Sequence, residues 1–191
     1  MRDMRLIIID GLDGVGKDTH ANLVKEYYED KDEKVVVRSH PTSDNFFGRK
    51  AKKALFGNSK IDRIEASVFY MMDVLRSVRK YYRSKDIDTL VMVRYLVGTA
   101  YLPGSIAKYA YKFFENFVPT SKYMFFLDTS PEDLLARISE REELEMFETL
   151  ESLTKVRKKA LKLVKNWNII DTSGSIDDTF SNIKDVLKKL D

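Results

Sequence analysis

The chain has 191 residues, 43% hydrophobic and 33% charged, with no cysteine and only two histidines, His20 and His40. That length suits a domain with a core of its own, and the lack of cysteine excludes a disulfide scaffold, a cysteine nucleophile and any thiolate-held metal centre. Lys and Arg number 33 against 30 Asp and Glu, a net charge of +3, too balanced for a dedicated nucleic-acid binder but suited to small anions. Two histidines are also too few for a multi-histidine metal site. No apolar run approaches the roughly 20 residues of a membrane span, and Leu6–Ile9 is far shorter than a signal-peptide core. The expectation is a soluble, cytoplasmic protein with no membrane or nucleic-acid partner. With 8 Gly and 4 Pro, and neither repeats nor low-complexity linkers, residues 1–191 read as one domain.

The first β-like run, Leu6–Asp10, leads directly into Gly11-Leu12-Asp13-Gly14-Val15-Gly16-Lys17-Asp18-Thr19. A helical pattern containing Leu23 and Val24 follows. Strand, glycine-rich turn with lysine, then helix is the context of a phosphate-binding P-loop. Backbone N–H groups and the helix N-terminus would converge on phosphate oxygens, and Lys17 would add a charge beside the transferred phosphoryl. The residue after the lysine is normally Ser or Thr, whose hydroxyl ligates Mg²⁺. Here it is Asp18. A carboxylate can hold Mg²⁺, so Asp18 is the candidate metal ligand, yet it also sets a negative charge beside the polyphosphate. Thr19 is no substitute, because adjacent helical residues point about 100° apart. The loop therefore supports nucleotide binding more strongly than catalysis.

A second strand is expected over Lys34–Arg38, built on Val35, Val36 and Val37. His40 fits a surface or capping histidine better than a ligand. Ile61, Ile64, Val68, Met71, Met72, Leu75 and Val78 share one face of a long helix. Thr89–Val93 is the third strand. Phe113, Phe114 and Phe117 belong to a core or an interface. Tyr123–Asp128 is the fourth strand, and Ser130-Pro131-Glu132-Asp133 is a helix start. Arg137 and Arg141, four apart, either meet phosphate or form a solvated face paired with Glu140 and Glu145. Lys158, Lys159, Lys162 and Lys165 read as solvated surface. A weaker fifth strand spans Trp167–Asp171, before a Ser175-x-x-Asp178 capping box and a final apolar stripe. Strands that are apolar throughout, alternating with helices, predict a three-layer α/β/α P-loop NTPase fold. Its five-stranded parallel sheet should run in the order 2-3-1-4-5, with phosphates at the C-terminal end of the first strand.

The motifs taken together are identified as those of the thymidylate kinase family, within the nucleoside monophosphate kinases. Gly11-Leu-Asp13-Gly-x-Gly-Lys17 resembles the family's GxDGxGK loop. Val93-Arg94-Tyr95 with Ala100-Tyr101 resembles its DRY…AY segment. Leu127-Asp128-x-x-Pro131-Glu132-x-x-Leu135-x-Arg137 matches LDxxPExxLxR. Arg141-x-Glu143-Leu144-Glu145-x-Phe147-Glu148 is similar to the lid RGELDRFE. Asn166-Trp167, Ile170-Asp171 and Ser175-Ile176 resemble the segment leading into the last helix.

The resemblance implies ATP-dependent phosphorylation of dTMP to dTDP with Mg²⁺. It implies that Gly11 and Asp13–Thr19 cradle the donor, that Asp13 approaches the acceptor 3′-OH and that Arg94 holds the acceptor phosphate. Tyr70 would stack on thymine, with Pro41, Gly48, Lys52 and Tyr101 also on the acceptor side. Arg137 and Arg141 would close over the phosphates, from a lid at about 141–150. The family is commonly dimeric, so a homodimer is a further expectation.

Several functional positions depart from the family pattern. Val93 replaces the DRY aspartate, His40 the glutamate of the acceptor-side loop and Val74 an arginine that follows Asp73. Met146 replaces the lid arginine, Asp18 the P-loop hydroxyl and Leu102 a glutamine; the Val93–Tyr101 spacing is one residue short. Three functions stay open on sequence: a thymidylate-type kinase with altered acceptor choice, a nucleotide-binding protein without efficient transfer, and a P-loop kinase for another small acceptor.

Overall fold

In the computed structural model, residues 4–57, 59–102, 106–139 and 149–191 are described. In chain order they form β1 (Arg5–Gly11), α1 (Lys17–Glu29), β2 (Val35–Ser39), α2 (Phe46–Leu55), α3 (Lys60–Tyr81) and β3 (Thr89–Val93). A 3₁₀ turn (Val97–Tyr101) precedes α4 (Ile106–Phe117), β4 (Tyr123–Asp128), α5 (Pro131–Ser139), α6 (Leu150–Leu163), β5 (Asn168–Asp171) and α7 (Ile176–Leu190). The strands make one parallel sheet in the order β2-β3-β1-β4-β5, as the sequence implies. The molecule is a three-layer α/β/α protein of the P-loop kind.

β1 lies at the centre because it is apolar on both sides. Ile7, Ile8 and Ile9 are fully buried, as are Leu90 and Val91 of β3 and Phe125, Phe126 and Leu127 of β4. Val24 and Tyr28 of α1, Leu134 and Ile138 of α5, and Ile183 and Leu187 of α7 close the same core. β1 pairs Ile9 with Val93 on one side and with Phe125 on the other. That register brings the C-terminal ends of β1, β3 and β4 together, where the connecting loops meet. Trp167 sits just before β5 rather than in it, its indole N–H donating to the Tyr111 hydroxyl at 3.0 Å.

α3 departs from its apolar stripe. Ile61, Ile64, Val68 and Met72 are exposed, while its most buried positions are Ala66, Asp73, Val74 and Ser77. The inward side carries small and polar groups where it holds a polar loop, described below, while Val74, Met71, Leu75 and Val78 still pack on the core. Phe114 is buried as core, whereas Phe113 and Phe117 are exposed and tilt against each other at 4.4 Å.

Candidate active site

The loop after β1 is shaped by its glycines. A Cβ on Gly11 would fall 2.4 Å from the Leu127 carbonyl oxygen of β4, so only glycine lets the strands stay paired while the chain turns. Gly16 caps α1 at φ 82°, in the left-handed region that side chains avoid. Lys17 opens the helix and is 3% exposed. Its ammonium donates to the Leu12 carbonyl at 2.5 Å and approaches Asp13 Oδ1 at 3.4 Å. Burial pulls this lysine below its ordinary pKa, against the attraction of Asp13. An anion in the loop would reverse that shift. Gly14, Gly16, Lys17, Asp18, Thr19, Arg94 and Arg137 line a hollow of ≈ 220 Å³ here. Arg137 reaches it from α5, donating to the Gly14 carbonyl (3.4 Å) and the Thr172 carbonyl (2.7 Å). Val15 is buried beneath the loop.

Arg94 stands one residue past β3, with φ 53°. A non-glycine residue there is uncommon and stays only where its surroundings fix it. They do: its N–H donates to the Ile9 carbonyl at 3.2 Å, and the Tyr70 hydroxyl donates to its own carbonyl. The next three backbone N–H groups, of Tyr95, Leu96 and Val97, all donate to Asp10 Oδ2 at 2.8–3.0 Å. β1 thus holds the turn after β3. The guanidinium faces the P-loop. Its Nη1 donates to Asp18 Oδ2 at 2.9 Å and to Ser39 Oγ at 2.8 Å, and Nε lies 3.8 Å from Asp13 Oδ1. Ser39 in turn donates to Asp18 Oδ1 at 2.6 Å. Burial opposes the Asp18 carboxylate, but the Arg94 charge and the Ser39 hydroxyl outweigh it and hold the group below the usual range.

Next to this lies a larger cleft of ≈ 1220 Å³. Gly11, Asp13, Lys17, Asp18, Pro41, Lys52, Tyr70, Arg94 and Tyr101 all line it, so the acceptor-side residues expected from sequence share one cavity, except Gly48, which does not line the cleft and packs against the Thr42 backbone. The Tyr101 hydroxyl donates to Asp13 Oδ2 at 3.3 Å, and Lys52 donates to Ser43 Oγ at 2.6 Å. The loop 40–45 that forms one wall hangs on Asp73. Its carboxylate accepts from the Thr42 N–H (2.6 Å), the Thr42 hydroxyl (2.8 Å) and Asn45 Nδ2 (2.6 Å). His40, joined to Pro41 by a cis bond, is 1% exposed and is a buried strut, not a surface or capping residue. A carbonyl can only accept, so its Nδ1 donates to the Val93 carbonyl (3.1 Å) and its Nε2 accepts from the Ser77 hydroxyl (2.9 Å). Burial, partly countered by the Asp73 charge, lowers its pKa to about 4, so the ring is neutral.

A family model for thymidylate kinase matches residues 9–183. The chain belongs to the thymidylate kinase family. It is 28% identical over 190 residues to a probable thymidylate kinase 1 of Saccharolobus solfataricus, covering 97% of each chain. It is also 28% identical over 192 residues to a probable thymidylate kinase of Archaeoglobus fulgidus, covering 96% of this chain and 94% of the relative. The fold is similar to the solved thymidylate kinase of Candida albicans, with a TM-score of 0.74 at 17% identity, over 98% of this chain and 92% of that one.

Within this thymidylate kinase-family chain, most expected site residues surround the two adjoining cavities. Arg141, Met146 and most of the expected lid lie outside the described residues. Val74 is wholly buried in the core and does not line the cleft. Lys159 is not solvated surface: its ammonium donates to the Leu102 carbonyl at 2.9 Å, tying α6 to the turn before α4. Its neighbour Arg157 makes a bidentate pair with Asp128 at 2.8 and 2.7 Å. Sequence reasoning did not single out Ser39, Asp73 or Ser77. For Ser39 and Ser77 no short motif marks them; for Asp73 the signal was the aromatic-x-x-Asp pattern that opens at Tyr70.

Among the described residues no three acidic or histidine side chains gather as a ready-made metal cage. Mg²⁺ needs no such cage, since it keeps several waters and takes one or two carboxylates beside substrate phosphates. Asp18, at the rim of the phosphate hollow, fits that limited demand with one carboxylate. Val93 contributes none: its side chain is buried. No helix among the described residues is long and apolar enough to cross a membrane.

Proposed function

We propose that the chain transfers the γ-phosphoryl group of ATP to a nucleoside monophosphate, with dTMP the preferred acceptor, giving ADP and dTDP. The observation that carries this reading is the meeting of Lys17 and Arg94, which follow the neighbouring strands β1 and β3, between a small hollow and a large cleft. An acceptor phosphate oxygen forms the new P–O bond while the bond from γ-phosphorus to the bridging oxygen of ATP breaks. Two polyanions must be brought together, so the work of the protein is positioning and charge neutralisation.

The P-loop N–H groups and Lys17 hold the donor phosphates. Arg137 adds a second cation from the α5 side. Arg94, fixed through its own backbone, draws the acceptor phosphate toward the P-loop. Asp13, in reach of Tyr101, faces the acceptor sugar, and Tyr70 and Pro41 wall the base. Lys52, at the loop 40–45, adds positive charge on the acceptor side. Mg²⁺, when bound, would neutralise charge developing on the β- and γ-phosphates, with Asp18 the side chain that would hold it. In this reading residues 1–191 act as a single catalytic unit.

ADP release measured with ATP, Mg²⁺ and each nucleoside monophosphate in turn tests the proposal. The fastest release is expected with dTMP. Comparable rates with every acceptor would remove the dTMP assignment, and no release with any acceptor would remove the kinase reading.

A further inference from the structure

We propose that Asp18 and Ser39 are positioning residues that hold Arg94 by one of the two edges an acceptor phosphate can grip, so that the acceptor enters by displacing a carboxylate of the protein itself. The inference rests on the proposed role of Arg94. Nη1 of an arginine carries two protons, and both are engaged: one by Asp18 Oδ2 at 2.9 Å, the other by Ser39 Oγ at 2.8 Å. Ser39 closes the ring by donating to the second Asp18 oxygen at 2.6 Å. A bidentate grip on phosphate needs two neighbouring N–H groups of the guanidinium fork. Nη1 forms one such pair with Nη2; the other pair, Nε with Nη2, faces Asp13, whose Oδ1 lies 3.8 Å from Nε and which is the less exposed of the two carboxylates, 23% against 53% for Asp18.

The backbone leaves Arg94 little room to avoid the exchange. Its φ of 53° is held by the Ile9 carbonyl on one side and the Tyr70 hydroxyl on the other. The moving part is therefore the Asp18 carboxylate, which is half exposed on the first turn of α1. An arriving phosphate would stand within hydrogen-bonding distance of that carboxylate, and two like charges cannot share one guanidinium edge. Asp18 must swing away, toward the donor side of the P-loop. There it can meet a divalent cation, so acceptor binding and cation binding should help each other.

The family's hydroxyl at this position carries no charge and could not act this way. The substitution thus does more than alter a metal ligand: it builds an internal competitor for the acceptor.

The test is titration calorimetry of dTMP, and separately of inorganic phosphate, into the parent, Asp18→Asn and Ser39→Ala, without ATP. Asparagine keeps the shape and an acceptor oxygen but not the charge, and melting curves confirm that each variant is folded. Asp18→Asn is expected to bind both anions at least fivefold tighter than the parent, and Ser39→Ala about twofold tighter. Adding Mg²⁺ should tighten dTMP binding to the parent but not to Asp18→Asn. Unchanged or weaker binding of both anions in Asp18→Asn would overturn the inference while leaving the kinase reading intact. A gain for phosphate, with dTMP bound by none of the three, would support the displaced carboxylate and overturn the dTMP assignment.

Discussion

The two sides of the proposed active site are made differently. The donor side, from Gly11 to Thr19, is built from main chain: glycines, a helix N-terminus and a strand whose neighbours are fixed by the sheet. The acceptor side is built from side chains: Tyr70 against Arg94, Asp73 under the loop 40–45, His40 between Val93 and Ser77. Main-chain sites tolerate few changes, because Gly11 abuts the Leu127 carbonyl and Gly14 and Gly16 hold positive φ. Side-chain sites can exchange one partner for another and keep their shape. The departures at His40 and Val74, and Val93 which His40 contacts, lie on or beneath the acceptor side. Among the described residues Asp18 is the exception, and it is joined to the acceptor side by its bond to Arg94.

That contrast can be broken in three places. The largest effect belongs to the donor side. Lys17→Ala should lower kcat/KM by at least ~10²-fold, about 3 kcal/mol of transition-state stabilisation. A change of twofold or less in steady-state kinetics would mean that the main chain alone suffices.

The second effect is thermodynamic and belongs to the acceptor side. His40 has an ordinary pKa of 6.5 and a folded value of about 4. Its folded form binds fewer protons than the unfolded chain between those values. Stability is then fully present above pH 6.5 and falls as the pH drops toward 4. By pH 5 the loss is about 2 kcal/mol from this group. Urea unfolding of the parent and of His40→Gln at pH 7 and pH 5 should show a smaller pH dependence in the variant. Equal dependence in both would show that the ring is not the titrating group.

The smallest effect sharpens the comparison. Tyr70→Phe keeps the ring in the cleft and removes only the donor to the Arg94 carbonyl. A stability loss of about 1 kcal/mol is expected, with KM for the acceptor raised two- to fivefold and KM for ATP unchanged. If KM for ATP rose equally, the hydroxyl would be serving the donor side as well.

The fold was legible because the strands are short and continuously apolar. Thr89–Val93 and Tyr123–Asp128 fall where their composition places them, and the glycine-rich loop follows β1 as its spacing requires. α3 was harder. Its apolar residues repeat at helical spacing, yet the side facing the molecule carries Asp73 and Ser77, and the exposed side carries Ile61, Ile64 and Val68. Periodicity reports a stripe, and cannot say that a helix serves a polar loop as well as a core, with Met71, Leu75 and Val78 on the core and the rest of the stripe exposed. His40 failed for a related reason. A lone histidine in a loop gives no sign of burial, since its partners Val93 and Ser77 lie 53 and 37 positions away. Lys159 and Arg157 were hidden among the other cations of α6, for charge alone does not tell a solvated lysine from one bonded to a distant carbonyl.

The pairing of Ile9 with Val93 acts as a gauge. Gly11 leaves one strand and Arg94 leaves its neighbour, and adjacent strands lie about 4.8 Å apart. The separation between the start of the P-loop and Arg94, the proposed acceptor arginine, is therefore set by hydrogen bonds of the sheet, which no side-chain substitution rewrites. A slip of one residue would carry Arg94 to the opposite face of the sheet and destroy the site outright. Evolution at this centre is thereby channelled. What is accepted can be retuned through α2, α3, α4 and the loop 40–45, while the span across which a phosphoryl group must travel is inherited unchanged with the fold.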